Sequence, residues 1–146
     1  MTAREFFDQV SAAVRDGREA AMLLEYGCGG GGGPVRRPEP SDPVQARFSA
    51  DEAARARLES ARSTVADGLR VVAGLRRVYA RKADAVELRY IRLMPWQDVA
   101  DAMGIGRRTA IAWADQLLDW VDCVGVARAA LGSGIAQDSW RAANLQ

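Results

Sequence analysis

Apolar residues recur at steps of four and three along two long stretches of this chain, and each stretch predicts an amphipathic helix. The first is Phe6, Val10, Ala13, Gly17, Ala20 and Leu24. Thr2 and Glu5 stand ahead of it at capping-box spacing, so a helix should run from about Ala3 to about Tyr26. The second is Ala54, Leu58, Ala61, Val65, Gly68, Val72, Leu75 and Tyr79. Ser49 and Glu52 repeat the capping box there, with Phe48 placed as a hydrophobic staple, and the pattern predicts a long helix over 48–81. Its seam is rich in Ala and Gly, which permits close approach but buries little area per residue. Such a helix needs a partner. The first helix, folded back antiparallel as in a coiled coil, supplies one for part of its length. A second copy of the chain would supply more, giving a homodimer through the N-terminal helices.

Between these helices the run GCGGGGGPVRRPEPSDP, residues 27–43, holds six Gly and four Pro. Glycine raises the entropy cost of ordering and proline removes donors, so residues 27–47 read as a flexible linker. No Gly-Lys-Ser/Thr follows, which argues against a phosphate-cradling loop. After the long helix, Asp84 with Glu87 can cap a fresh helix after a break near Arg81–Asp84. Val86, Tyr90, Leu93 and Met94 form its apolar stripe, and Pro95 ends it.

The stretch WQDVADAMGIGRRTAIAWAD, Trp96–Asp115, comes next. Val99, Ala100 and Met103 supply an apolar stripe, and Ala100 is small enough to let a second helix cross closely. Gly104 sits where the first helix must turn, because glycine takes the left-handed conformation at little cost. Ile105 is the buried turn residue. Gly106, Arg107, Arg108 and Thr109 open a second helix, with Ala110 and Trp113 on its inner face. The pattern is that of a helix-turn-helix. Leu117, Leu118, Trp120, Val121 and Val124 prolong it to about Gly125, closing a domain over 82–125, and 126–146 reads as a tail or short helix. The fold class expected is all-α: a coiled-coil-like antiparallel hairpin followed by a three-helix helix-turn-helix domain.

Charge sharpens this picture. The net charge of +1 over 146 residues hides an uneven distribution. Residues 55–92 carry ten basic against four acidic side chains, while the flanking parts are acidic on balance. The long helix bears Arg55, Arg57, Arg62, Arg70, Arg76, Arg77 and Arg81, which form either a solvated face or a track along a DNA backbone. Asp115, Asp119 and Asp122 lie on or just beyond the second motif helix. The sequence has no histidine and only two cysteines, at 28 and 123. The commonest general base and the usual metal sets are therefore missing, so neither an enzyme, a metal site nor a cofactor is expected. No apolar run approaches the roughly 18 residues that span a bilayer, and the N-terminus lacks a signal-peptide layout. A cytoplasmic protein without membrane contact is expected.

In a DNA reader of this kind the second helix enters the major groove with its N-terminal residues toward the base edges. Arg107 and Arg108 can each bond guanine O6 and N7. Thr109, Ala112 and Gln116 share that outward side, and the start of the first motif helix, at Trp96 and Gln97, can anchor a phosphate.

The segment AVELRYIRLMPWQDVADAMGIGRRTAIAWADQLLDWV resembles the helix-turn-helix of bacterial sigma factor region 4. The order of the chain resembles small phage and prophage proteins related to the late-gene transcription activators of the RinA and ArpU type. The resemblance implies double-stranded DNA binding by Gly106, Arg107, Arg108, Thr109, Ala112 and Gln116, and contact with RNA polymerase. The sequence departs from the pattern at Pro95, where a Ser cap is usual, and at the acidic Asp115–Asp122 stretch. The function expected is a sequence-specific DNA-binding transcriptional regulator of phage or prophage origin. Two alternatives are a protein-interaction module that docks on RNA polymerase without reading DNA, and a DNA-packaging small subunit.

Overall fold

The computed structural model describes residues 1–26 and 43–132. Residues 27–42 of the linker expected over 27–47, and residues 133–146 of the tail or short helix expected over 126–146, lie outside the described residues. Those residues hold helices α1 (Ala3–Tyr26), α2 (Pro43–Val78), α3 (Ala80–Val86), α4 (Trp96–Met103), α5 (Arg107–Val124) and α6 (Val126–Leu131), with a π-helical turn at Glu87–Ile91. No strand occurs among them, so the fold is all-α. No helix among them is long and apolar enough to cross a membrane. They fall into two compact units: residues 1–11 with 65–132, and residues 12–26 with 43–64.

In the larger unit α1 begins as the capping box requires. The Thr2 N–H donates to the Glu5 carboxylate at 2.7 Å, and the Glu5 N–H donates to the Thr2 hydroxyl at 3.2 Å. The Thr2 backbone N–H, and then its hydroxyl, hold the Glu5 carboxyl below its ordinary range. A third free donor, the Ala3 N–H, is taken by Asp122 of α5 at 2.6 Å. That bond buries Ala3, and the next positions on the same face are Phe7 and Val10, both fully buried. Phe7 therefore occupies the core position predicted for Phe6. Phe6 is half-buried, edge-on to Phe7 at 5.2 Å between centroids.

Val71, Val72, Leu75 and Val78 of α2 are buried in this unit. Gly68 sits on Val10, where a Cβ would come 2.7 Å from Val10 Cγ1. Gly74 meets α6 more closely still, and a Cβ there would lie 1.9 Å from the Ala129 carbonyl oxygen.

The long helix ends at Val78, and Tyr79 is extended at φ −144° and ψ 95°. The break predicted at Arg81–Asp84 falls inside α3, and Asp84 pairs with Arg76 at 3.3 Å instead of capping a helix. The reason is visible in the backbone. Tyr79 N–H still donates to Leu75 O at 2.8 Å and Ala83 N–H to Tyr79 O at 3.0 Å, so the break loses few hydrogen bonds and needs no Gly or Pro.

The π turn changes which side chains reach the motif. Arg92 N–H donates to Glu87 O and Met94 N–H to Leu88 O, each at 3.0 Å, and the buried Ser11 hydroxyl donates to Tyr90 O at 2.7 Å. Leu93 takes the left-handed φ of 59°. The widened turn shifts the residues after it relative to those before, so of the predicted stripe of Val86, Tyr90, Leu93 and Met94 only Met94 joins the cluster that packs on the motif. Ala85 joins Val99, Ala100 and Ala110 in a buried cluster, with Leu88, Met94, Trp96, Met103 and Ile105 packed against it. Tyr90 lies beside Phe7 at 5.5 Å, and its burial raises the phenol's pKa.

In the smaller unit α2 starts at Pro43, ahead of the predicted residue 48. Proline suits a first helical turn, and VQARF contains nothing that opposes a helix. The chain is thus already helical at Ser49 and Glu52, which do not begin a helix, and Phe48 is 64% exposed and staples nothing. Gly17 lies opposite Ala61, a Cβ at Gly17 being 3.1 Å from the Ala61 Cβ, while Arg57 pairs with Asp16 and, at 3.4 Å, with Glu19. Numbers rise in α1 as they fall in α2, the antiparallel sense predicted.

Candidate nucleic-acid interface

The helix-turn-helix is held by backbone chemistry at its bend. Gly104 has φ 66° and ψ 34°. Ile105 N–H donates to Ala100 O at 3.0 Å and Gly104 N–H to Asp101 O at 3.3 Å, which is the Schellman pattern with its apolar residue Ile105 packed on the core. Ala100 and Ala110 are both buried, so α4 and α5 cross on small side chains as predicted. Val99 is buried with them, while Met103 and Trp113 are half-buried. Ala114 takes the fully buried place expected for Trp113.

Two arginines upstream of the motif brace it. Arg81 donates to the Met103 carbonyl at 3.1 Å and stands over the Trp113 ring at 5.4 Å. Arg89 donates to the Met94 carbonyl at 3.1 Å and stands over Trp96 at 5.1 Å. Both use the flat guanidinium twice, as a donor to a helix-end or loop carbonyl and as a cation on an indole face.

The outer side of α5 opens with Gly106 at φ −74°, whose carbonyl accepts the Ala110 N–H at 3.0 Å. Gly106 has no side chain to cap the helix. The first free N–H groups of α5 therefore point outward at its positive end. Arg107, Arg108, Thr109 and Ala112 are all exposed. Arg107 and Arg108 form no ion pair or hydrogen bond through their side chains among the described residues. Gln116, also exposed, accepts from Lys82 Nζ at 2.6 Å, and Gln97 spends its amide on Asp101 at 3.0 Å. The structure thus leaves Gly106, Arg107, Arg108, Thr109 and Ala112 open to a ligand, and gives Gln97 and Gln116 internal partners.

The charged surroundings differ from a plain sequence count. Asp115 pairs with Arg4 at 2.9 Å and Asp122 caps α1 through Ala3, so two of the three acids on α5 have internal partners. The Arg-rich stretch is likewise occupied. Arg70 pairs with Asp67, Arg76 with Asp84 and Glu87, and Arg77 reaches the Leu131 carbonyl, while Arg57 is held by Asp16 and Arg81 by the Met103 carbonyl. Arg55 and Arg62 alone of the seven have no such contact among the described residues. Sequence reasoning missed the roles of Arg4, Asp122, Lys82 and Arg89. Each joins residues too far apart in the chain, or too dependent on a loop's path, for local spacing to reveal.

No family model matches the chain, and neither does any curated protein or solved structure with which it was compared.

Proposed function

We propose that this chain is a sequence-specific, double-stranded-DNA-binding transcriptional regulator of phage or prophage type, acting in the cytoplasm without enzymatic activity. It reads the major groove with the first turn of α5. One observation carries the reading: Arg107, Arg108 and Thr109 are exposed on a helix end whose opposite face is locked to α3 and α4, and both guanidiniums are unspent. A rigid helix end with free N–H groups and two free bidentate donors matches the chemistry of guanine edges and phosphates. Because Gln116 and Asp115 have internal partners, the reading end is short, spanning Gly106 to Ala112.

Fluorescence anisotropy of the full chain against duplex pools, at about 50 and about 200 mM salt, tests this. Binding at low salt that weakens with salt is expected, with a loss of roughly tenfold or more when Arg107 and Arg108 are both changed to Ala. No binding at low salt, or binding untouched by the double substitution, overturns it.

A second reading, docking on RNA polymerase without base contacts, draws on Asp98 and Asp119, exposed acids on α4 and α5. Retention of polymerase by protein that shows no DNA preference would decide for it.

A further inference from the structure

The smaller unit buries only Ala20, Ala54 and Ala61 among its described apolar residues, and leaves Met22, Tyr26 and Phe48 at 60, 71 and 64% exposure. Two helices joined over three alanines have little to hold them in water, since helix hairpins depend on tertiary burial for stability. Beside that alanine seam runs a second stripe on α2: Glu52, Arg55, Glu59 and Arg62, at steps of three, four and three. Arg55, Glu59 and Arg62 come one position after the seam residues Ala54, Leu58 and Ala61, which places the stripe about 100° around the helix. In a four-helix bundle each helix meets its two neighbours at about that angle.

The stripe borders a groove of about 580 Å³ lined by Arg55, Leu58, Glu59, Arg62 and Ser63. Its four charges alternate in sign. Their spacing would let them pair along the helix, yet none makes an ion pair or hydrogen bond through its side chain among the described residues.

We infer that this face binds a second copy of the chain, α2 against α2 in antiparallel sense about a two-fold axis level with Arg57. The charge order identifies the occupant. Reversed on itself about that level, the stripe sets Arg55 opposite Glu59 of the second copy and Arg62 opposite Glu52 of the second copy. By symmetry the two remaining pairs form as well. A self-complementary surface of this kind is what a two-fold contact requires. The contact is small. A two-helix face about 20 Å wide, and about 22 Å long where residues 12–26 run beside 50–64, is roughly 440 Å², about half of the ~800 Å² per partner of a stable contact, so the dimer is a weak one. Leu58 lines the groove between the charges, so the pair closes over apolar surface with the ions at its rim. This inference does not depend on the DNA reading.

Sedimentation velocity of the full chain at on the order of 1 to 100 μM tests it. A mass near twice 15.8 kDa is expected at the upper end. Glu59→Arg sets arginine against arginine at two places in the dimer and should raise the dissociation constant at least about tenfold. Arg55→Glu combined with Glu59→Arg restores opposite charges and should return it to within about threefold of the original. All these residues are exposed, so far-UV circular dichroism should stay unchanged in both variants. A chain that is monomeric throughout, a Glu59→Arg variant that dimerises as before, or a double variant without rescue each overturns the inference. Loss of DNA binding on changing Arg107 and Arg108 should leave the mass unaltered.

Discussion

The two units use the same four-three helix periodicity and reach opposite kinds of contact. In the smaller unit Gly17 faces Ala61 and the buried apolar residues are alanines, so the helices are close but little surface leaves water. In the larger unit Phe7, Leu75, Leu117 and Trp120 are fully buried, and the two glycines of α2 there, Gly68 and Gly74, stand where a neighbour presses on the helix. Periodicity fixes which face turns inward; side-chain size fixes how much that face contributes. A unit rich in large buried residues stands on its own core, whereas one seamed with alanine needs a further partner.

The contrast can be broken at named positions. The largest effect should come from Phe7→Ala, which removes a fully buried ring and should cost about 3 to 5 kcal/mol in denaturant unfolding. Gly74→Ala should come second. Its Cβ would strike the backbone of Ala129 and Ala130, and either α6 detaches or about 3 kcal/mol is lost, which hydrogen exchange over Val126–Leu131 would reveal. Gly104→Ala meets no atom within 4 Å and pays only for its left-handed backbone, about 1 to 2 kcal/mol by thermal unfolding. Gly17→Ala in the smaller unit should change stability by less than about 1 kcal/mol, because the 3.1 Å approach to Ala61 opposes the gain in helix propensity. Were Gly17→Ala to cost as much as Gly74→Ala, the distinction between the units would fail.

The smallest effect is pH-dependent. Glu5 is fully exposed and its carboxyl is held below the ordinary 4.5 by Thr2. Its contribution is therefore complete above about pH 4.5 and fades as pH falls through the lowered value. Melting curves of the original chain and of Glu5→Gln should differ at neutral pH and converge in acid.

Much of the motif was legible in the letters, because its determinants are local. Gly104 needs a left-handed φ, Ala100 and Ala110 need to be small, and Thr2 and Glu5 need only a helix start between them. The features that escaped depend on distant partners. Phe6 and Phe7 are interchangeable to a periodicity argument until Asp122 fixes the first turn. The break at Tyr79 carries no Gly or Pro, because the hydrogen bonds close over it. Gly74 looks like a poor helix residue until α6 is placed on it. The arginines of the long helix read as one charged face, yet five of the seven contact specific acids, carbonyls or rings.

The bond from Ala3 to Asp122 spans 119 positions of sequence. A ribosome makes the first eleven residues long before it makes α5, so Phe7 and Val10 must wait for most of the chain before their pocket exists. Assembly of the helix-turn-helix is thereby a late event. A nascent chain stopped short of α5 has the arginine-rich helix but no finished motif, and fragments cut at residue 82 lack the segment that completes the core.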